Sequence, residues 1–531
     1  MRSALAVLLA VALVSVADAA PKRRSPPKPK WPDLSTQANR MRMMEYVGTK
    51  FENRATRPIG YRAADLDADL NRFLDRNTST RRAGVISDEA FLRRLSLDLI
   101  GRVPTLPEID RFVGDTDPDK RDKKVDQLLQ TDAWARKQGR YWRSVIFHNS
   151  PGITATTNPK ATEDWLTEQF RAGRGWDQIV AEMLVAVPTR KKGVANNKNA
   201  WDQDSGYKNF ILSSNREPEH LASRTARIFM GISIECAECH DHPFEDWERE
   251  QFHELAAFFA PNRYYMDDEE DPSERHRMQP RFLLGEKPPE NLTQQQRRVV
   301  LAAYLVYNPD NYWFARSYVN RIWSELMGDG FYAVDSLGPD KEIIHQLIVN
   351  KMAAQFRAEG FDSRWLFRLI CQSDAYQREA KPVGEDVDLF TSVRATRLRP
   401  WEVLDRLKSL GGQAIAKNRG LARSIAQVFE QDPSTPHKSL EGTVQQALLM
   451  MNQYAINEEV RKSALMKSLK NLDDDAQVIE RAFLGVLARK PSEEEARRYE
   501  RFLDHNGGDR GQAIEDIVWV LMNSAEFLTK T

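Results

Sequence analysis

Cysteine is scarce in this chain of 531 residues, which contains only three. Three thiols are too few for the disulfide scaffold of a small exported domain, so cysteine chemistry would have to come from one local arrangement. Net charge is also absent, because 77 lysine and arginine residues balance 77 aspartate and glutamate residues. This balance gives no general case for binding nucleic acid or an anionic membrane, and we expect neither as a partner.

Several catalytic motifs are missing as well. The chain contains no phosphate-binding P-loop, no HExxH zinc motif, no GxSxG nucleophile turn and no glycine-rich dinucleotide fingerprint. Carboxylates are abundant, but one sequence does not distinguish a catalytic pair from surface charge. No repeat with a period of about 20–50 residues is visible, which argues against a solenoid. The sequence therefore identifies no catalytic residue.

The N-terminus has the features of a secretory signal peptide. Arg2 forms a short basic region, residues 4–16 form a weakly apolar run, and Ala17-Asp18-Ala19 provides an A-x-A cleavage site. The run is short for a transmembrane helix, and no later stretch is apolar enough to cross a bilayer. We therefore expect a signal peptide at residues 1–19 and export to the periplasm or cell surface. A retained N-terminal anchor is the alternative.

The remaining pattern predicts a mainly α-helical protein with two helical domains. Residues 20–60 form a Pro- and Lys-rich linker and N-terminal segment, and residues 21–34 are not expected to pack. Residues 61–262 form the first helical domain. Residues 263–295 break the helical periodicity and form an inter-domain linker, and residues 296–531 form the second helical domain. No convincing series of β-hairpins interrupts this pattern.

Local signals mark the ends of several predicted helices. Ser87 begins one helix, and Gly101 ends it. Thr105 begins the next with the sequence of a capping box. Asp246 or Trp247 begins a later helix whose apolar residues fall on one face.

The segment Cys236-Ala237-Glu238-Cys239-His240 is the most informative in the chain. It has the CxxCH spacing of a c-type haem attachment site. Two thiols three residues apart on one helical face can each bond to a haem vinyl group, and the following imidazole can bind the iron. We therefore predict one haem c, bonded to Cys236 and Cys239, with His240 as an axial ligand of the iron.

The second axial ligand is not evident from the sequence. His242 follows the motif too closely to reach the opposite face of the same haem. His253 has glutamates beside it and is expected to be solvated, whereas Met230 is expected to pack in the core of a helix. An open sixth position is a further alternative. The other weak candidates are His148, His220 and Met266.

Two other interpretations of the motif stay open. Cys236 and Cys239 can form a disulfide in an oxidising compartment, although the strand-to-helix setting usual for such a redox motif is absent. Alternatively, both cysteines can bind a metal ion together with His240 and His242, although this spacing crowds the four ligands. Cys371 stands apart on an apolar helical face, where we expect a buried and unreactive thiol.

Longer segments in a fixed order resemble known protein families. Residues 91–105 and 226–259, the latter including the CxxCH motif, resemble the planctomycete-type cytochrome-like domain of unknown function. Later segments resemble a second domain of unknown function that usually follows it. These segments are residues 314–323, 397–400, 442–448 and 523–528. The resemblance covers the chain from about Leu66 to its end; it implies haem through the motif without establishing an activity.

These observations favour electron transfer or redox support in a periplasmic or cell-surface system. The partner would be a redox protein or another exported protein, which the sequence does not identify. One alternative is a non-redox binding or scaffold protein in which CxxCH is structural. The other is an enzyme that degrades exported polymers such as glycans through an unidentified carboxylate site. Haem content distinguishes the first function from both alternatives.

Overall fold

Helices dominate the computed structural model, and the predicted mainly α-helical fold is confirmed. The described residues are 31–54, 57–76, 81–150, 156–190, 201–269, 271, 273–336, 343–381, 388–437, 440–505 and 509–530. The predicted signal peptide, and most of the segment 21–34 that was not expected to pack, lie outside these ranges.

The elements follow one another in chain order. The first helices are α1 Gln37–Gly48, α2 Ala63–Arg76, α3 Asp88–Ile100, α4 Leu106–Val113, α5 Lys120–Leu129, α6 Asp132–Phe147, α7 Pro159–Arg171 and α8 Trp176–Leu184. The next are α9 Asn209–Leu212, α10 Pro218–Thr225, α11 Arg249–Ala256, α12 Gln294–Tyr307, α13 Tyr312–Met327, α14 Gln346–Ala358 and α15 Ser363–Cys371. The last are α16 Pro400–Lys417, α17 Arg419–Val428, α18 Val444–Asn452, α19 Tyr454–Arg461, α20 Ala464–Lys470, α21 Asp475–Leu487, α22 Glu493–His505 and α23 Arg510–Met522.

The strands form three short pairs within the described ranges. The antiparallel pairs are β1 Tyr264–Asp267 with β2 Arg275–Met278, and β5 Thr396–Arg397 with β6 Thr529–Lys530. The parallel pair is β3 Ala380–Lys381 with β4 Val393–Arg394. The β1–β2 hairpin lies in the segment that the sequence analysis read as a linker.

The predicted helix ends agree with the structure. The Ser87 hydroxyl accepts from the Ala90 amide at the start of α3, and Gly101 ends that helix in the left-handed conformation, with φ +71°. Thr105 forms the predicted capping box at the start of α4. Helix α11 begins at Arg249, slightly later than predicted, because Glu248 is its N-cap.

Two hydrophobic cores hold the helices together. Core 1 contains buried residues from Leu34 to Val393, together with Leu484 and Ala488. Core 2 contains Leu97, Val103 and buried residues between 398 and 528. The predicted domains, 61–262 and 296–531, therefore do not coincide with the two cores, since core 1 draws on both. Periodicity along the chain reports which face of a helix is buried, but not which distant helix covers it.

An aromatic stack at the centre of core 1 joins the two predicted domains. The rings of Trp142 and Trp176 lie 4.0 Å apart, and Trp142 stacks on Tyr318 with centroids 5.4 Å apart. Tyr318 in turn stacks on Phe356 at 4.9 Å. All four rings are fully buried. The first two belong to the first predicted domain and the last two to the second, so the two segments share one interior.

Two segments predicted as linkers contribute to core 1. Leu34 is buried, and its carbonyl accepts from Nη1 of the buried Arg40 at 2.6 Å. Between the predicted domains, Met278 and Phe282 are buried in the same core. Proline and acidic residues remove the helical periodicity from residues 263–295, but a hairpin and single apolar anchors need no such period. Within the described ranges, no helix combines the length and the apolarity that crossing a membrane requires.

Candidate functional site

The CxxCH motif follows a sharp change of chain direction. Helix α10 continues into a π-helical segment, Ala226–Met230, which ends at Gly231 with φ +68°. A Cβ atom at Gly231 would lie 3.0 Å from Cβ of Ser317 in α13, so both the conformation and the space favour glycine. The Ser317 hydroxyl donates to the Phe229 carbonyl at 2.9 Å. These contacts fix the position of the turn at Gly231, from which the chain continues into the motif.

The motif forms one turn of 3-10 helix, Glu235–Glu238, with one side in the core. Ala237 is fully buried and anchors the turn, whereas Cys236, Cys239 and His240 are all exposed. Both cysteines are free thiols, so the disulfide alternative is not formed in this structure. The three side chains therefore lie close together in the chain and are open to solvent, with Cys239 and His240 directly after the 3-10 turn.

The imidazole of His240 is held through one nitrogen. Its Nδ1 lies 2.7 Å from the Asp241 carbonyl oxygen, which only accepts hydrogen bonds, so Nδ1 carries the proton. Nε2 then has a free lone pair, and no described residue donates to it. This is the tautomer that an imidazole needs to bind a metal through Nε2.

The loop after the motif is closed by backbone contacts. The His242 amide donates to the Trp247 carbonyl at 2.8 Å, and the Trp247 ring is buried against Trp313 with centroids 5.8 Å apart. The Asp241 carboxylate accepts from the Arg249 amide at 2.8 Å, which ties the loop to the start of α11. Between these anchors, Phe244 projects into solvent and is 86% exposed.

A chain of three side chains supports the motif from behind, and it corrects the prediction that His253 is solvated. His253 is buried, and its Nε2 lies 3.0 Å from the Glu238 carbonyl inside the motif. Its Nδ1 lies 2.8 Å from the Tyr264 hydroxyl, which donates to the Glu219 carboxylate at 2.7 Å. Burial lowers the pKa of His253, against the hydrogen bond to Glu238. Both ring nitrogens are engaged, so His253 acts as a support rather than as a free ligand.

Four of the other candidates for the second axial position make contacts of their own. Met230 is fully buried, as expected, and its sulfur lies 4.0 Å from the Asn311 amide nitrogen. Nδ1 of His242 accepts from the Phe244 amide at 3.2 Å. His220 pairs with a glutamate and His148 with an aspartate. None of these contacts identifies a second axial ligand, which the sequence also left open.

The segment that contains the motif is acidic, and Arg227 of the preceding π-helical segment lies 3.5 Å from one of its carboxylates, Glu235. Between residues 235 and 250 the only Lys or Arg is Arg249, whose side chain lies 3.8 Å from Glu269. The acidic residues in the same segment are Glu235, Glu238, Asp241, Glu245, Asp246, Glu248 and Glu250. Burial raises the pKa of Glu238, and the nearby carboxylate of Glu219 raises it further. A partner that approaches this surface therefore meets negative charge.

The residues present fit the covalent attachment of a haem better than they fit a bare metal ion. Two free exposed thiols and an imidazole with an available Nε2 form the donor set that attachment requires. In contrast, no group of three or more His, Cys, Asp or Glu side chains is arranged to hold a metal ion, as far as the described ranges show. Both thiols and the imidazole are exposed, so a haem bonded here would lie at the surface.

Replacing His253 by phenylalanine is expected to loosen the CxxCH turn. The ring volume is kept, but the hydrogen bonds to Glu238 and Tyr264 are lost, at a cost of about 1–3 kcal/mol. Amide hydrogen exchange of residues 235–242 should accelerate by a corresponding factor. His276→Phe is the matched control, because His276 is exposed on β2. Equal exchange in the two variants would show that His253 does not support the turn.

The sequence did not reveal this supporting chain, for a physical reason. His253 directly follows Phe252, a buried residue on the apolar face of α11, and this position is the available signal. The glutamates beside His253 instead favoured a solvated side chain, although Glu254 is itself buried. Tyr264 and Glu219 carry no local pattern, because their roles come from a contact between α10, α11 and β1.

Comparison with known proteins places two regions of the chain in families. Residues 67–264 match PSCyt2, a protein family of unknown function (DUF1549), and residues 297–432 match PSD1, a protein family of unknown function (DUF1553). No curated protein and no solved structure is significantly similar to the chain. The first match contains the CxxCH motif and its supporting residues, and the chain therefore carries a PSCyt2 region followed by a PSD1 region.

Proposed function

We propose that this protein is an exported, c-type-cytochrome-like protein that carries one haem and serves electron transfer or redox support at the periplasm or cell surface. Cys236 and Cys239 would bond the haem, and His240 would bind its iron through Nε2. The observation that carries the proposal is the exposed turn with two free thiols beside an imidazole whose Nδ1 is held by a carbonyl. When bound, haem would supply a one-electron redox couple.

The residues around the turn have separate roles in this proposal. Ala237 and the His253 support hold the turn in one position, so the thiols and the imidazole are presented together. The exposed position of the three side chains suits electron exchange with another protein, because a short distance between cofactors then needs no opening of the fold. The acidic surface favours a partner with a positively charged face.

A pyridine haemochrome spectrum of the denatured protein tests the proposal. The chain should be expressed in a host with haem-attachment machinery, and the intact mass should be measured on the same sample. We expect one haem that survives denaturation in the wild type and none in Cys236→Ala/Cys239→Ala. Cys371→Ala is the matched control, because Cys371 is fully buried, as predicted, and burial raises its pKa. It should retain the haem.

A wild-type mass equal to that of the bare polypeptide would overturn the proposal. The scaffold function, in which the turn is only structural, would then be favoured, because its buried anchors do not depend on haem.

A further inference from the structure

A cleft lies where the PSCyt2 and PSD1 regions meet, away from the CxxCH motif. It has a volume of about 590 Å³, within the range of about 300–1,000 Å³ that is usual for small-molecule sites. One wall is the C-terminal end of α6, with Phe147 and His148, and the other is formed by α16, α17 and the chain that follows them. Sites for small molecules often occupy such junctions.

An aromatic surface lines the cleft. Trp401 in α16 is partly exposed, but its indole nitrogen is shielded from solvent, so the part that faces outward is carbon. Leu404 and Phe147 extend this apolar surface along the cleft. Such a surface can stack against the C–H face of a ring.

Polar groups of both kinds surround the aromatic surface. Arg423 and Gln427 of α17 are exposed donors, and Glu430 is an exposed acceptor just beyond the same helix. Arg423 makes no ion pair with a residue of the described ranges. The amide nitrogen of Gln431 is buried without an acceptor among them. Two further arginines line the cleft, but Arg143 already pairs with Glu163 and Arg399 with Glu325. Arg423 and Glu430, one of each sign, are therefore the charged side chains that would face a ligand, which suits a ligand rich in hydroxyl groups rather than an ion.

One polar contact crosses the cleft. Nε2 of His148, at the end of α6, lies 3.3 Å from the Asp432 carboxylate. It joins the two walls, and a ligand in the cleft would touch both family regions. A bound ligand would therefore stabilise their junction by mass action.

We propose that this cleft binds a sugar ring, as a single unit or as the end of a glycan. The ring would stack on the carbon surface of Trp401, and its hydroxyl groups would pair with Arg423, Gln427 and Glu430. This proposal does not depend on haem, because none of these residues belongs to the motif or its support.

Saturation-transfer NMR on the full chain tests the proposal with defined probes. The probes are the methyl glycosides of glucose, mannose, galactose and N-acetylglucosamine, and the control is sorbitol, which has the hydroxyl groups but no ring. We expect saturable binding of at least one glycoside, with a dissociation constant of about 1–10 mM, and none of sorbitol. Binding of no glycoside, or equal binding of sorbitol, would overturn the proposal.

Two variants locate the binding. Trp401→Ala should weaken it about tenfold or more. Arg423→Gln should weaken it about fivefold without threatening the fold, because Arg423 is exposed. Arg419→Gln is the matched control, since Arg419 is exposed on the same helix but does not line the cleft. Equal binding by Arg423→Gln and Arg419→Gln would place the ligand elsewhere and contradict the proposal.

Discussion

Residues 31–262, expressed without the rest of the chain, are expected to show no cooperative unfolding transition. This fragment contains nearly all of the PSCyt2 region but only part of core 1. Trp142 and Trp176 would lose Tyr318, against which both rings pack. The deletion removes 39 of the 92 buried residues of core 1, and with them both transfer free energy and packing contacts. Thermal unfolding followed by near-ultraviolet circular dichroism and calorimetry measures the transition.

Hydrogen bonds between the regions strengthen this expectation. The buried guanidinium of Arg298 in α12 donates to the Leu184 carbonyl at 2.9 Å. A second bond runs from the PSCyt2 region to the PSD1 region, where the buried Arg94 of α3 donates to the Arg378 carbonyl at 2.7 Å. Cutting the chain at residue 262 therefore leaves a buried cation in the fragment without its acceptors, which is costly in a low-dielectric interior.

A longer fragment is the control for this prediction. Residues 31–397 keep the buried residues of core 1 apart from Leu484 and Ala488. We expect this fragment to unfold cooperatively, at lower stability than the full chain. A cooperative transition in residues 31–262 alone would show that the PSCyt2 region folds independently and that the shared core is not required.

The structure agrees with the sequence where the signals were local. The start of α3 at Ser87 and its end at Gly101 depend on a hydroxyl and a left-handed glycine within a few residues, so the sequence alone revealed them. The CxxCH motif is contiguous, so its two thiols and its imidazole lie close together along the chain, and all three are exposed. Local chemistry of this kind needs no knowledge of distant contacts.

The features that the sequence did not reveal come from distant contacts. The division into two cores follows from stacking between α6 and α13, which no pattern along one helix specifies. The cleft is another example, because His148 and Asp432 belong to different family regions and carry no common motif. His253 shows the same limit at the candidate site, since its burial depends on β1.

The Glu402→Gln variant is expected to lose about 3–5 kcal/mol of unfolding free energy in denaturant titrations. Glu402 in α16 is fully buried, and its Oε1 lies 3.0 Å from Nζ of Lys137 and 3.4 Å from Nζ of Lys530. Glutamine has nearly the same shape and can still accept from the Arg399 amide, which donates to Oε2 at 2.8 Å. The substitution therefore removes the charge and keeps the helix cap. The two lysines are then left to share Asp98, because Glu325, the other carboxylate near Lys530, already pairs with Arg399.

The free energy of unfolding should also depend on pH through the charge of the Glu402 carboxylate. Burial raises the pKa of Glu402, but Lys530 and Lys137 outweigh this effect and lower it to about 2 from an ordinary value of 4.5. A carboxylate with a depressed pKa in the folded state stabilises the fold above its unfolded pKa. Its contribution is lost as the pH falls from about 4.5 toward 2. Asp98 opposes part of this trend, because burial raises its pKa. Wild type should lose stability more steeply than Glu402→Gln in this window.

The charge balance of the buried cluster can be separated from ordinary packing by a double-mutant cycle. Asp98, Glu402, Lys137 and Lys530 together carry no net charge, and Glu402→Gln alone leaves an excess positive charge. Glu402→Gln/Lys530→Met restores the balance, so its destabilisation should fall at least about 1.5 kcal/mol short of the sum of the single variants.

The control for the cycle is Glu480→Gln, which breaks an exposed pair with Lys490 at 3.4 Å and should cost less than about 1 kcal/mol. Additive losses in the cycle, or a Glu402→Gln cost as small as that of the control, would mean that water or relaxation of the fold already screens the buried lysines. A large coupling would instead show that the C-terminal strand, through Lys530, is held to α3 and α16 by charge that the interior cannot leave unpaired.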